Sequence, residues 1–196
     1  AGLLYQWGRK DPFLTSGDIA SATPNTVASS VLSEDMQWMV IPSSQVVGTV
    51  AFATKNPTTF ITGVSPNYSW LHTPDITLWG NVKTIYDPCP AGWKVAQSEL
   101  GVNLGIVYFV GEPEFTYGCG NISYDRSNVN YAYFPASGHL HFQSGNLEYV
   151  SRVGFIWCST VASNGSSYGF MFDENTEVDF DYKFYSSQGA SVRCQK

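Results

Sequence analysis

Two histidines, His139 and His141, lie two positions apart in the chain. On a β-strand such residues point to the same face, so the two imidazoles could bind one metal ion with a third ligand such as His72. The alternative is a polar strand face. We favour it because no carboxylate or cysteine in the sequence lies at a typical ligand spacing from the pair. The sequence therefore predicts no metal site and no cofactor.

A second same-face pair is formed by Asp179 and Asp181. Two carboxylates can hydrolyse a glycosidic bond, provided that an apolar environment keeps one of them protonated. The surrounding sequence supplies no such environment, so a solvated pair is the favoured alternative. The chain also has no GxSxG elbow, P-loop, glycine-rich dinucleotide fingerprint or HExxH helix. We predict that the protein is not an enzyme, with a glycan hydrolase as an alternative.

The chain contains four cysteines, and none of them belongs to a CxxC pair. This argues against a zinc ribbon or a thioredoxin-type site. An even number of cysteines in a chain rich in Tyr, Ser and Gly is typical of an oxidising compartment. Four buried free thiols are the alternative. The four positions are Cys89, Cys119, Cys158 and Cys194.

Composition excludes some classes of partner. The chain has 196 residues, which suits one domain, and its aromatic content of 15% exceeds its charged content of 13%. So many rings must be buried or presented to a ligand. A formal charge of −6 argues against nucleic acid as a partner. No apolar run is long enough to span a bilayer, so we expect no membrane insertion by this chain, and any export signal or anchor to lie outside it.

The elements that position these residues are mostly strands, because the apolar period is two. Residues 168–172 and 178–184 alternate, and Ser144-Gly145-Asn146 is a turn signal that predicts a hairpin. Helical patterns are confined to residues 33–40 and 97–104. In 178–184 one predicted face carries Val178, Phe180, Tyr182 and Phe184, and the other carries Asp179, Asp181 and Lys183. The chain therefore predicts an α+β domain rich in strands and loops, with few short helices.

Four motifs follow one another in order: DPCPAGW at 87–93, FPASG at 134–138, GFIWCST at 154–160 and ASVRC at 190–194. They resemble the DPCPAGW, FPAAG, YWSST and SVRC motifs of the major paralogous domain first described in Fibrobacter. The run LYQWGRKDP at 4–12 is similar to the YYQWGRKDPF opening of Bacteroidetes surface proteins, including fimbrial-tip-like ones, that carry this domain.

The resemblance implies a C-type lectin-like fold. We expect a single domain over residues 1–196, with a loop-rich N-terminal insertion at 13–80 and a motif-bearing core at 80–194. The N-terminal strand at 3–7 should lie beside the C-terminal strand at 192–194. The expected core contains Trp93, Trp157, Val192 and the inward set Val178, Phe180 and Tyr182.

The resemblance also implies a long-range disulfide between Cys89 and Cys194, which leaves Cys119 and Cys158 as a second pair. Position 158 is normally Ser in the family motif, so Cys158 is a departure. The tripeptide Glu112-Pro113-Glu114 is similar to the calcium-binding EPN of sugar-binding C-type lectins, but it lacks the Asn and no WND partner follows. We therefore do not predict a calcium site.

In the lectin-like fold, the ligand surface is formed between the WSST and VRC motifs, here residues 161–189. This interval is rich in Tyr, Ser, Asn and Gly, the mixture that dominates antibody paratopes. An ordinary loop-rich surface is the alternative. Some relatives of this fold are diversified by retroelements in the same interval, and the Cys at position 158 is compatible with that. The predicted ligand-binding residues are Ser163, Asn164, Ser167, Tyr168, Asp179, Asp181, Lys183 and Tyr185.

Together these features predict an exported recognition or adhesion module. It is expected outside the cell or at the cell surface, where it binds a host or microbial surface glycan or protein. One alternative is a structural fimbrial subunit that packs on other surface or pilus subunits. The other is the glycan hydrolase considered above.

Overall fold

The computed structural model describes residues 2–15, 38–97, 119–123, 131–163, 165–174 and 178–196. Within them the chain is rich in strands and has one short helix. The elements are β1 (Leu3–Gln6), β2 (Phe13–Leu14), β3 (Met39–Pro42), α1 (Val50–Lys55), β4 (Thr59–Thr62), β5 (Lys94–Val95), β6 (Cys119–Ser123), β7 (Tyr131–Pro135), β8 (His139–Leu140), β9 (Leu147–Glu148), β10 (Val153–Ser163), β11 (Ser166–Asp173), β12 (Val178–Tyr185), β13 (Gly189–Val192) and β14 (Cys194–Gln195).

The main sheet has eight strands, six of them in the order β12-β11-β10-β13-β1-β2, with β8 beside β13 and β9 beside β8. Strands β10 and β13 run parallel, and the other pairs in the sheet are antiparallel. The N-terminal strand lies beside a C-terminal strand, as predicted. The partner differs in detail: Tyr5 pairs with Ala190 of β13, whereas Cys194 belongs to β14, which pairs with β5.

Both faces of the sheet are covered. Phe155 and Trp157 of β10 belong to a first hydrophobic cluster with Trp70 and Trp79, while the intervening Ile156 belongs to a second cluster. This is the alternation expected of a strand with two buried faces. Trp157 is 0% exposed, which confirms its predicted core position. The prediction for Trp93 is wrong, since its side chain is 44% exposed.

A register irregularity in β12 changes the predicted faces of that strand. Tyr182 pairs with Gly169, but Asp179 pairs with Met171, and the register shifts between the two pairs. Opposed residues of antiparallel strands share a face, so Asp179 lies on the same side as Tyr182 instead of opposite to it. Val178 and Phe180 pack against the second cluster, whereas Phe184 is buried in the first. Tyr182 was predicted to be buried but is 38% exposed.

The segment from 38 to 80 is joined to the N-terminal strand by buried polar groups. The Gln6 side chain is fully buried, and its Nε2 donates to the carbonyls of Ile61 and Ser187, both at 2.7 Å. The Arg9 guanidinium donates to Gln6 Oε1 at 3.0 Å and to the Thr59 carbonyl at 2.7 Å. These bonds explain why Gln and Arg occupy the LYQWGRKDP run: they satisfy the backbone carbonyls of Ile61, Ser187 and Thr59.

Most of the two predicted helices, at 33–40 and 97–104, lies outside the described residues, and the part that can be compared with the structure is not helical. Residues 33–37 and 98–104 lie outside the described residues, and Met39 and Val40 belong to β3, which pairs in parallel with β4. The helix that is present, α1, was not predicted. It begins after Thr49, whose Oγ1 accepts from the Phe52 N–H at 3.1 Å in a standard N-cap arrangement. No helix in the described ranges is long and apolar enough to cross a bilayer.

The disulfide Cys89–Cys194 is present and links positions 105 residues apart, as the resemblance implied. The adjacent Asp87 is buried and accepts from the N–H groups of Cys89 and Val95, which fixes the DPCPAGW segment against β5. The predicted second bridge is wrong, because Cys158 is a free thiol. Cys158 is 1% exposed within β10, an interior strand of the main sheet, whereas Cys119 begins β6 in a separate two-stranded sheet with β7.

Candidate ligand-binding cleft

A hairpin formed by β8 and β9 stands beside the β10–β12 part of the main sheet. It is the hairpin predicted from Ser144-Gly145-Asn146: Leu140 pairs with Leu147, and Gly145 has a φ of +66° in the turn. A hydrogen bond from the Gly145 N–H to the His141 carbonyl closes the loop at 2.8 Å. Between hairpin and sheet lies an open cleft of about 330 Å³.

The cleft has an apolar floor and aromatic walls. The floor consists of Val153, Phe155, Met171 and Tyr182. The register places these four residues on one side of β10, β11 and β12, the side that carries the first cluster. The walls and rim are Phe142, Tyr149, Tyr185, His139, His141, Asp173, Lys183 and Gln188.

Three exposed tyrosines converge on this cleft. Tyr149 is 44% exposed, and Tyr182 and Tyr185 are each 38% exposed. Among the described residues, the remaining large aromatic side chain with comparable exposure is Trp93, which does not line the cleft. Exposed aromatic rings grouped at one concave site are typical of a ligand-binding surface, because each ring offers a large apolar face and a polar tip.

Neighbouring rings hold these tyrosines in place. Tyr149 stacks on His139 with 5.6 Å between ring centroids and 19° between planes. The ring of Tyr185 lies between Tyr68, at 4.9 Å, and Phe142, at 4.7 Å. Tyr182 packs on Phe184 at 4.8 Å. Side chains already held in place lose little conformational entropy when a ligand binds, so the cleft is pre-organised.

Backbone strain is concentrated around the same walls. Tyr68, Tyr149 and Ser151 have φ values of +48°, +58° and +64°. These values lie in the left-handed region, which residues other than glycine rarely adopt. Each such residue costs on the order of 1–3 kcal/mol and persists only where its surroundings impose it. Tyr149 lines the cleft, and Tyr68 supports Tyr185. The strain therefore coincides with one wall tyrosine and with the residue that supports another.

His139 contributes a neutral ring beneath Tyr149. Burial, together with the nearby His141, lowers the pKa of His139 to about 3. Its Nδ1 is buried without a hydrogen-bond partner, and its Nε2 lies 3.8 Å from Glu148 Oε2. The third ligand considered in the sequence, His72, does not line the cleft. Within the described part of the chain, no group of three or more His, Cys, Asp or Glu side chains could hold a metal ion.

Two of the predicted ligand residues, Lys183 and Tyr185, line the cleft. Tyr168 pairs with Lys183 and therefore lies on the opposite side of the sheet from Tyr182, with the Lys183 ammonium 5.8 Å from its ring centroid. Asp179 and Asp181 are exposed, and the Asp181 N–H donates to Asp179 Oδ1 at 2.8 Å.

The remaining predicted residues lie at the far end of β10 and β11. Ser163 is exposed, Ser167 is 2% exposed, and both border a much smaller hollow beside Trp70. Asn164 lies outside the described residues. The 161–189 face is therefore not one contiguous patch, since its members are divided between two sides and two ends of the sheet.

Sequence reasoning missed the part of the cleft contributed by the hairpin, above all Phe142 and Tyr149. The available signal was the turn at Ser144–Asn146, which carries aromatic residues on both flanks. Tyr182 was missed for a different reason. The uninterrupted alternation placed it in the core with Phe184. It does share the face of the buried Phe184, but it lies at the open cleft and is 38% exposed.

Comparison of the chain with protein-family models, with curated proteins and with solved structures gives no match. In the part of the chain that the structure describes, the observations thus define a strand-rich protein with a long-range disulfide and an aromatic cleft.

Proposed function

We propose that this chain is an exported cell-surface recognition or adhesion module that binds a glycan or protein ligand through the cleft. The observation that carries the proposal is the convergence of Tyr149, Tyr182 and Tyr185 on one concave site. A chain gains nothing in stability by leaving three rings partly in water, so a ligand that covers them gives the best reason for their placement.

Two further features support this proposal. The Cys89–Cys194 disulfide is compatible with an extracellular protein. The four motifs and the opening run resemble those of surface proteins with a C-type lectin-like domain. In the proposed arrangement, the ligand surface uses the Lys183–Tyr185 end of the 161–189 interval together with the β8–β9 hairpin.

The alternatives have less support. A retaining or inverting glycosidase needs two carboxyl groups across the bond it cleaves, but Asp173 is the one carboxylate among the described residues that line the cleft. A fimbrial subunit that packs on sister subunits needs a broad apolar face, and the exposed tyrosines instead surround a concavity of about 330 Å³.

The test is a binding screen with matched variants. Wild-type protein, Tyr149→Ala and Trp93→Ala are applied to a printed glycan array and to an array of host and bacterial surface proteins. Residues 149 and 93 are equally exposed, at 44%, but only the first lines the cleft. We expect Tyr149→Ala to lose the wild-type signal, Trp93→Ala to keep it, and both to melt close to wild type. Undiminished binding by Tyr149→Ala would overturn the proposal.

A further inference from the structure

We propose that the occupant of the cleft is an uncharged sugar ring, which stacks on the tyrosines and hydrogen-bonds to the polar rim. This inference rests on the proposed function and specifies its ligand class. It follows from the size of the cleft, the arrangement of its rings and the small number of charges around it.

Size favours a small ligand over a protein surface. Small-molecule sites usually enclose about 300–1,000 Å³, and stable protein interfaces are broad and bury about 800 Å² on each partner. A cleft of about 330 Å³ lies at the lower end of the first range. It has room for one or two sugar rings at the end of a longer chain.

The rings provide platforms for an apolar face. One side of the Tyr149 ring is stacked on His139, so the exposed part of this side chain is available to a flat ligand. Tyr182 and Phe155 contribute a second apolar surface on the floor. A pyranose ring presents C–H groups on one face and hydroxyls around its edge, which matches an aromatic platform with a polar rim.

The cleft carries little charge. Asp173 and Lys183 are the charged residues among its described lining. The Lys183 ammonium, however, lies 5.8 Å from the centroid of the Tyr168 ring, on the side of the sheet opposite Tyr182. Asp173 is therefore the one charged side chain of this lining on the Tyr182 side. His139 adds no charge, because burial keeps its pKa near 3. A phosphate or an acidic ligand would need an excess of cations, and a basic peptide an excess of carboxylates. Hydroxyl groups both donate and accept, so a neutral polyol suits a rim that contains donors and acceptors together.

The experiment is saturation-transfer difference NMR on the intact chain with seven free sugars: glucose, galactose, mannose, fucose, xylose, N-acetylglucosamine and N-acetylgalactosamine. Concentrations on the order of 50 mM populate a site of millimolar Kd. We expect at least one sugar to receive saturation mainly at the C–H groups of one ring face. Tyr149→Ala should abolish the transfer, and Tyr149→Phe, which keeps the ring, should retain most of it. Absence of transfer to all seven sugars would overturn the inference.

A second measurement separates this inference from the proposed function. A surface ligand found in the array screen is treated either with periodate, which cleaves sugar diols, or with protease. Loss of binding after periodate alone supports a sugar. Loss after protease alone, with Tyr149→Ala still inactive, contradicts the sugar while the recognition cleft stands. Binding that survives in Tyr149→Ala contradicts both.

Discussion

Replacement of Arg9 tests how the N-terminal run is held to the body of the protein. Arg9 is 3% exposed, and its guanidinium donates to Gln6 Oε1, to the Thr59 carbonyl and to the Pro57 carbonyl. It also lies 5.0 Å from the centroid of the Phe13 ring. Burial lowers the pKa of Arg9 to about 10, so it remains charged at neutral pH.

The magnitude follows from the acceptors that the variant leaves behind. In Arg9→Ala, Gln6 Oε1 keeps the Ile61 N–H as a donor, but the carbonyls of Thr59 and Pro57 lose theirs. Two such losses, together with a cavity and a lost cation–π contact, should lower the free energy of unfolding by about 3–5 kcal/mol. For a chain of this length, that corresponds to a decrease in Tm of roughly 6–20 °C.

The assay is urea and thermal unfolding of Arg9→Ala, Arg9→Lys and Lys10→Ala. Arg9→Lys keeps the charge but loses the planar fork, so it should fall between wild type and Arg9→Ala. Lys10 is the exposed neighbouring cation, and Lys10→Ala should change stability by less than about 0.5 kcal/mol. The reasoning is refuted if Arg9→Ala is no less stable than Lys10→Ala.

Three further predictions concern the cysteines and His139. The double variant Cys89→Ala/Cys194→Ala removes a disulfide that links positions 105 residues apart. Urea unfolding should show that its free energy of unfolding is lower than that of wild type by about 4–5 kcal/mol. Equal stability of the two proteins would contradict the prediction. Burial, with a smaller effect of Asp181, raises the pKa of the Cys158 thiol to about 12. Mass spectrometry should therefore find Cys158 unalkylated after iodoacetamide treatment of the native protein near pH 8, and alkylated after the same treatment in urea. Alkylation of the native protein would count against the burial of this thiol. The pKa of His139 falls from 6.5 to about 3 on folding. Between pH 6.5 and pH 3 the unfolded chain therefore binds more protons than the folded one, and the free energy of unfolding declines as the pH falls through this range. His139→Phe should lose less stability over the same range, and parallel pH–stability profiles of the two proteins would contradict the prediction.

Much of the sheet could be predicted from local pattern. The two-residue period over 168–172 and 178–184 gave β11 and β12, and Ser144-Gly145-Asn146 gave the β8–β9 hairpin. These features are local, since alternation and turn residues act over a few positions. The Cys89–Cys194 link came instead from the resemblance carried by the motifs.

The cleft could not be predicted because it depends on non-local geometry. Val178 to Phe184 alternate without a break in the sequence, and only the pairing with β11 shows that the register shifts between Gly169 and Met171. That shift places Val178 and Phe180 on the opposite side of the sheet from Tyr182 and moves Asp179 to its side. Helix α1 was missed because its local signal is weak. It is six residues long, which is too short for a clear 3.6-residue period.

The most direct test of the recognition cleft compares two tyrosines on adjacent strands. Tyr182 lies on the cleft side of the sheet, and Tyr168 lies on the other side, beside Lys183. With a ligand from the binding screen, the dissociation constant of Tyr182→Ala should rise at least about tenfold, the effect of losing more than about 1.4 kcal/mol at a binding hot spot. Tyr168→Ala should bind within about twofold of wild type. A large loss in Tyr168→Ala with unchanged binding in Tyr182→Ala would contradict this account and place the ligand on the opposite face.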